Sequence, residues 1–526
     1  MLHQSKMTNR TAFTASDIVA EIWTHLDLPP SALPSLHLPG ATEKPVVRSS
    51  FKIGLLAQST IALSALSAAV AHSILCVRLD SDPEQKEEDK DQKEVKGVNT
   101  PRTTVPLRHA VLEFQCEKLY TLSGAPPAES WGPIGGLHPT VDGHVRIHDN
   151  FPHHRAGALA LLGLDETCRD RAAVAERTRG WKSADLERVG VEETGLAIYA
   201  LRNYGEWDAL PQAGAVGDFP VSVRRVGTSL SSSGYGYRRC GLNASSPKCL
   251  SGLRVLEFSR VIAAPVAGKT LAAHGADVLW VTCPRLPDIP GLDREFSRGK
   301  KSVCLDLDVS EDKEKVLRLV RDADVVIQGY RPGSLAARGL DVQDLAKINP
   351  GIIVANLSAF GPDGEWKDRR GYDSLVQTAS GMNVSEAEHY GQGEVAKALP
   401  CQALDHSAGF LLAAGVCAAL YHREKDRREG RRVGAYVVDV SLAGVMKYLK
   451  SLGQYEGRSG FEGEDLMVLG APGERNKEEE AFFETRPTVF GEMTFLRHSA
   501  SVEGFETGWD TMPMSLGSGE ASWSGL

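Results

Sequence analysis

From Arg254 onward the chain alternates short apolar runs with amphipathic or alanine-rich stretches. Arg254–Phe258 (RVLEF), Asp277–Val281 (DVLWV), Ser302–Leu307 (SVCLDL), Asp324–Gln328 (DVVIQ) and Ile352–Leu357 (IIVANL) each predict a short buried strand. Between them Val266–His274 predicts a helix closed by Gly275. Ser310-Glu311-Asp312 opens another, with an N-cap residue and acids in the first turn. Asp341, with Asp344 three residues on, opens the next. Strands at this spacing imply parallel βαβ units with helices on both faces, hence an α/β fold built on a Rossmann-like parallel sheet. Ligands of such sheets sit beyond the carboxyl ends of the strands. A long helix, His406–His422, then a solvated basic turn, Arg423–Arg432, and a strand, Val433–Val440, complete the pattern.

The N-terminal half reads differently. Ile53–Val77 carries no formal charge between Lys52 and Arg78 and is long enough to cross a bilayer. Gln58, Ser59, Thr60, Ser64, Ser67, His72 and Ser73 make it a poor match to hydrocarbon, so a buried alanine-rich helix is the better reading. It also echoes the later helix. Leu56-Ala57-Gln58-Ser59 and its alanine-rich run to His72 parallel Leu404-Asp405-His406-Ser407 and its run to His422. The charged run Asp80–Glu94 reads as a solvated, disordered loop within 80–100. From about 104 to 225 the pattern is globular, with strands near Ala110–Phe114 and His144–His148 and helices near His154–Leu162 and Leu196–Tyr204. Ser229–Tyr237 (SLSSSGYGY) is a linker.

Composition narrows the function classes. The 526 residues carry 59 Lys plus Arg against 68 Asp plus Glu, a net charge of −9, which gives no global bias toward nucleic acid or anionic membranes. The nine cysteines form no CxxC pair, which favours free thiols in a reducing compartment. The N-terminus lacks the apolar core of a secretory signal, so a cytoplasmic location is expected, with mitochondrial or peroxisomal placement left open. The first βα turn, Ser259–Pro265 (SRVIAAP), holds no GxGxxG, which disfavours a dehydrogenase. No P-loop and no HExxH occurs. His144, His148, His153 and His154 match no standard ligand set, and no metal is expected.

An ordered series of motifs resembles family III CoA-transferases, the CaiB/BaiF group. It runs through Leu253–Ser259 (LRVLEFS) with Pro265, Gly275–Val278 (GADV), Ser297–Leu307 (SRGKKSVCLDL) and Tyr330–Leu335 (YRPGSL). It continues in Asn349-Pro350, Arg370–Leu375 (RGYDSL), Ser380-Gly381, Gln402–Asp405 (QALD), His422–Lys425 and Arg431–Val433. The resemblance implies that family's sheet with a smaller α+β domain, and coenzyme A as a cosubstrate with no permanently bound cofactor. It implies acyl-CoA and carboxylic acid substrates, with no nucleic-acid or membrane partner. The family's nucleophile, an aspartate at the start of the long helix, falls on Asp405, which equally suits a helix N-cap. There the backbone amides of the helix start would stabilise both the carboxylate and the oxyanion that develops during attack. Leu305, Asp306 and Leu307 fall at the adenine end, Gly329, Tyr330 and Arg331 on a CoA-contacting loop, and Arg370 and Tyr372 near the pantetheine. Arg285 and Arg338 lie one or two places from the phosphate-binding arginines of relatives. Ile262 stands where formyl-CoA transferase has a glutamine.

Tyr372 replaces the histidine base of the racemase branch, and a phenol with a pKa of about 10 is a poor base at neutral pH. CoA transfer is thus expected over racemase, isomerase or dehydratase chemistry, with an inactive acyl-CoA-binding protein as the rival. Val141–Arg155 and Tyr204–Ala209 resemble the family's small domain, and Ala57 stands where the echoed helix would carry its aspartate. The expected organisation is a degenerate large-domain fragment (1–103), a small-domain-like module (104–228) and a linker (229–249). A large domain (250–445) and a closing segment (446–526), with Pro472–Glu480 as loop, would follow. Such a duplicated chain would form a homodimer or mimic one within a single polypeptide.

Overall fold

The computed structural model describes residues 7–76, 100–226, 245–466 and 468–523. Val77, the charged run 80–94, the linker 229–237, Cys240 and the last three residues lie outside the described residues. The protein is α/β. Its main sheet uses β1 (Val221–Val226), β2 (Arg254–Phe258), β3 (Asp277–Thr282), β4 (Lys300–Cys304), β5 (Val325–Gln328), β6 (Ile353–Ser358) and β7 (Ala435–Ser441). The order is β4-β3-β2-β5-β6-β7-β1, parallel throughout except for the antiparallel edge pair of β1 and β7. Strand order reverses between β2 and β5, the switch point at which a crevice opens in doubly wound sheets. β1 comes from the chain before the linker, so the N-terminal half contributes an edge to the large sheet.

Three long helices fill one face: α1 (Ile53–Cys76), α2 (Ala263–Ala273) and α3 (Ala403–Arg428). Alanine and glycine let them approach closely. A Cβ on Gly409 of α3 would lie 2.5 Å from the Ala263 carbonyl oxygen of α2. α1 and α3 are both long and apolar enough to cross a membrane, yet both lie buried within the protein. The hydroxyl residues of α1 stay in that core because each finds a carbonyl one turn back. Ser59 and Thr60 donate to the carbonyls of Leu55 (2.7 Å) and Leu56 (2.8 Å), and Ser64 to that of Ile61 (2.8 Å). Gln58 donates to Pro39 and Val105.

A smaller α+β unit packs beside the sheet. Gly136–Pro139, His144–Ile147 and Ile198–Ala200 form an antiparallel three-stranded sheet. Ile134, Val145, Leu159, Val174, Leu186 and Ile198 make its separate core. Near the end of the chain, Phe483–Thr488 and Gly491–Leu496 form a hairpin that pairs with Thr121–Leu122.

Several local expectations are corrected. Ala110–Phe114 belongs to a helix, Leu107–Glu113, almost wholly buried; in so short a run, helix and strand share one hydrophobic pattern. Leu196–Tyr204 contains the strand Ile198–Ala200. The helix starts only at Tyr204, behind an Asn203–Glu206 capping box. Ser310 is the first helical residue, and Val309 occupies the cap position without a side-chain bond. Arg423–Arg432 is not simply a solvated turn. α3 runs on to Arg428, and Arg423 is buried, donating to the Gly351 carbonyl (2.7 Å) and pairing with Asp324 (3.3 Å). Within Pro472–Glu480, Lys477–Glu480 forms a helical turn capped by Asn476.

Candidate active site

A cleft of about 490 Å³ opens beyond the carboxyl ends of the parallel strands. Phe258 ends β2 on its wall, Thr282 ends β3, Leu305–Leu307 follow β4, and Gly329–Pro332 follow β5. All nine residues singled out from the sequence line it: Asp405, Leu305, Asp306, Leu307, Gly329, Tyr330, Arg331, Arg370 and Tyr372. Gly329 sits at the switch point, where a Cβ would lie 2.5 Å from that of Ala264, so the loop after β5 closes on α2 only without a side chain.

Asp405 occupies the third position of α3, not its cap. Gln402 is the cap residue and makes no side-chain cap bond. That task falls to Asp373, whose Oδ2 accepts the backbone N–H groups of Leu404 (2.8 Å) and Asp405 (3.0 Å). Those two amides are therefore engaged, which corrects the expectation that the helix start would serve an oxyanion. Asp405 is 8 % exposed, and among the described residues its carboxylate makes no hydrogen bond. Burial, with the like charges of Asp373 and then Glu117, pushes its pKa well above the ordinary carboxylate range. Burial likewise raises Asp373 to about 6, against the pull of its amide donors and Gln377. The site holds two carboxyls of opposite duty, one hydrogen-bonded and structural, the other unbonded and facing the cleft.

The opposite wall comes from the small unit. Phe151, His153 and His154 line the cleft. Tyr372 stacks on His148 at 3.8 Å between centroids, with rings 7° apart. Burial raises the Tyr372 phenol to about 12 and lowers His148 and His154 to about 3, so all three are neutral at pH 7. The Arg370 guanidinium donates to the Gly195 carbonyl and lies 3.5 Å from His154 Nε2. It thereby ties the large sheet's loop to the small unit.

At the mouth, Arg285 is bidentate to Asp306 (2.6 and 2.7 Å) and also pairs with Asp308, which Arg338 grips at 2.8 and 3.1 Å. Hydrogen bonding from Arg285 holds Asp306 below the usual range. Arg285, Arg331 and Arg338 all face the cleft and form a cationic rim suited to phosphates. At the inner turn Val261 adopts φ 73°, a left-handed conformation unusual for a β-branched residue, between Arg260 and Ile262, which both line the cleft.

Sequence reasoning missed three contributors. Asp373 lay inside a quoted motif, but its role depends on a partner 32 residues away. Arg260 stood in the first βα turn and was passed over for want of a phosphate loop. Glu117 accepts from or shares a proton with His406 Nε2 at 3.0 Å, behind the cleft, and nothing local marks it. Cys116, Glu117 and His406 are the group of metal-type donors found among the described residues. The Lys269 ammonium lies 3.3 Å from Cys116 Sγ, and Glu117 is engaged by His406 Nε2, so the thiol and the carboxylate already have partners, while His406 Nδ1 is buried without one.

Residues 250–464 match the model of CoA-transferase family III. The chain is 38% identical over 192 residues to a probable fatty acyl-CoA transferase of Mycobacterium tuberculosis, covering 34% of this chain and 48% of that protein. It is 35% identical over 212 residues to a succinate–glutarate CoA-transferase of Agrobacterium fabrum, covering 37% and 52%. The crystal structure of a CaiB/BaiF family protein from Brucella suis is 30% identical with a TM-score of 0.33, covering 38% of this chain and 55% of that one. The chain spans about half the length of the curated relatives it matches.

Proposed function

We propose that this chain, whose residues 250–464 are a CoA-transferase family III domain, exchanges coenzyme A between an acyl thioester and a carboxylic acid through Asp405. The observation that carries this reading is an unbonded carboxylate facing the cleft beyond the strand ends. Its chemistry follows from the residue. A carboxylate is a modest nucleophile, but a thioester carbonyl is a reactive electrophile. Attack by Asp405 expels the CoA thiolate and leaves an acyl-aspartyl mixed anhydride. The thiolate returns to the aspartyl carbonyl, releasing the donor acid and forming an aspartyl-CoA thioester. The acceptor carboxylate attacks that thioester, and the freed thiolate then attacks the new acyl carbonyl, regenerating the Asp405 carboxylate.

Each supporting group has a physical part. Asp373 fixes the helix start, so the nucleophile is presented without a competing hydrogen bond. Burial of Asp405 keeps water from the anhydride. The Arg285, Arg331 and Arg338 rim suits the CoA phosphates, while Leu305 and Leu307 offer apolar surface for adenine. Tyr372, neutral and stacked on His148, walls the pantetheine side and supplies no base for α-proton exchange. Phe151, His153 and His154 let the chain cover its own cleft in cis.

The test is chemical trapping. Incubation with acyl-CoA and hydroxylamine should convert Asp405 to its hydroxamate, read by peptide mass spectrometry, and Asp405→Asn should abolish both adduct and exchange. Retained CoA binding with neither adduct nor exchange in the wild type would instead make the protein an acyl-CoA binder.

A further inference from the structure

Helix Asp373–Ala379, which follows Tyr372, belongs to a buried polar network that the exchange steps do not use. Gln377 lies one turn along from Asp373 and donates its side-chain N–H to Oδ1, the carboxylate oxygen that the α3 amides leave free. The other end of Gln377 decides how its amide is turned. Its Oε1 accepts from the Leu399 backbone N–H (3.0 Å), which can only donate, so Nε2 faces Asp373. Asn383 is fixed in the same way, because its Nδ2 donates to the Lys397 carbonyl (3.1 Å) and also to Gln377 Oε1 (2.9 Å). Its Oδ1 accepts from the Thr378 hydroxyl (2.8 Å), which also lies 2.7 Å from the Ser374 carbonyl. The turn between the two helices makes this return possible. Gly381 holds φ 92°, and a Cβ there would lie 2.6 Å from the Tyr204 amide nitrogen, so glycine is what brings Asn383 back onto Gln377.

The network is anchored at its far end as well. Thr378 Oγ1 accepts from Arg146 Nε (2.9 Å) on the small unit's strand His144–Ile147, and the Thr378 carbonyl accepts from the Arg202 backbone N–H (3.2 Å). Asp373, Gln377, Thr378 and Asn383 are all buried, and every polar side-chain atom of the four has a partner. We propose that Gln377 is a positioning residue for the exchange: anchored by Leu399 and Asn383, its amide keeps Asp373 an acceptor on both oxygens and thereby holds the start of α3 that presents Asp405. The proposal rests on the transferase reading and adds a group that orders its nucleophile. The physical reason is that nothing around Asp373 can take a proton from it. A proton on Oδ1 would face the Gln377 N–H, and one on Oδ2 the amides of Leu404 and Asp405. Turning the Gln377 amide over would set its N–H groups against those of Leu399 and Asn383. The other titratable or charged groups facing Asp373 are Asp405 and His406 on α3, the Cys401 thiol ahead of it and Arg146. Among the described residues, Gln377 is the one side chain that hydrogen-bonds the carboxylate.

Gln377→Met keeps the length of the side chain and removes the donor. Asp373 then ionises at higher pH, and until it does it no longer opposes ionisation of Asp405. Exchange in the full-length variant should fall about tenfold through kcat, with KM for the acyl-CoA held, and the rise of kcat/KM should move about one unit to lower pH. Gln377→Glu keeps the acceptor that Leu399 and Asn383 need and donates to Asp373 only while protonated. It should recover most of the wild-type rate at about pH 6 and fall behind as the new carboxyl ionises, a trend that a packing role would not produce. That variant carries the test where Gln377→Met does not fold. An infrared pH titration reads the same contact without turnover. The carboxyl band that Asp373→Asn removes should titrate about one unit higher in Gln377→Met than in the wild type. An unmoved band, or rate losses in the Gln377 variants with the wild-type pH profile, overturns the inference. A moved band in a protein with neither exchange nor a trapped adduct at Asp405 sinks the transferase reading and leaves the hold on Asp373 standing. A trapped adduct with an unmoved band does the reverse.

Discussion

Helices α1 and α3 are near copies in length, alanine content and burial, yet they do different work. α3 begins at the cleft, where Asp373 supplies the cap from another segment and Asp405 faces the cleft. At the matching place α1 has Ala57, fully buried at 0 % exposure, and Gln58, spent on the carbonyls of Pro39 and Val105. α1 is packing material, with each of its hydroxyls and the Gln58 amide nitrogen answered internally. α3 keeps one carboxyl unanswered at the edge of the core, and the surroundings make its ionised form costly. The difference lies less in the helices than in what caps them and what stands beyond their ends.

The sharpest way to break this comparison is to exchange the distinguishing residue. Ala57→Asp should destabilise the protein by about 3–5 kcal/mol in denaturant titrations, because it buries a carboxylate with no partner, and it should create no second trapping site. Asp405→Asn should do the opposite. Exchange should fall on the order of 10³-fold or more, while stability at pH 8 should rise by about 1 kcal/mol. The sign follows from linkage. A carboxyl raised in the folded state contributes no penalty below its unfolded pKa of about 4, and stability is lost as pH climbs from there through the folded value. The wild type should therefore lose stability between acid and neutral pH more steeply than the variant. An Asp405→Asn protein that is no more stable at pH 8 would show that this site stores no electrostatic cost.

Asp373 tests whether the cap makes α3 what it is. Asp373→Asn keeps one acceptor for the Leu404 and Asp405 amides but removes the neighbouring charge. Exchange should drop roughly 10–100-fold through kcat, with KM for the thioester little changed. Deprotonated Asp405 is the attacking form, so kcat/KM should rise with pH as that carboxyl ionises. In the variant the rise should move to lower pH, since the like charge that raised Asp405 is gone. A fall in rate with an unmoved pH profile would make Asp373 a packing residue only.

How much of this was legible in the sequence depends on the range of the interaction. Parallel strands buried on both faces read as continuous apolar runs, so β2 to β7 appear at nearly their true bounds, and the residues after each strand end line one cleft by topology alone. Asp405 was visible because its motif is local. Asp373 as cap, Arg260 over the Phe151 ring and Glu117 behind His406 were not, because each role is defined by a partner far along the chain. Ala110–Phe114 and Leu196–Tyr204 failed for a different reason. Ala110–Phe114 and the stretch Leu196–Ala200 are buried on every side, so the period that separates helix from strand disappears there, while Leu201 to Tyr204 are less buried and lead into the capped helix that follows.

A smaller effect should separate the two ends of the cleft. Arg285 is 56 % exposed and bound to Asp306 and Asp308, so its charge is shared and screened by water. Arg285→Gln should raise KM for the acyl-CoA only about two- to fivefold, with kcat held, in steady-state assays.

Smallest of all is the turn before α2. Val261 holds a left-handed φ of 73°, which costs a β-branched residue about 1–3 kcal/mol and costs glycine almost nothing. Val261→Gly removes that strain but also removes a side chain packed against the core and frees the unfolded backbone. The two contributions nearly cancel, so the melting midpoint should move by less than about 1 kcal/mol in equivalent stability. What should change is the definition of the wall, because the turn that places Arg260 and Ile262 becomes free to sample other conformations. Exchange should therefore weaken while stability barely moves. A loss of stability as large as that of Ala57→Asp would mean that Val261 belongs to the core as α1 does, and that its strain serves packing instead of the cleft.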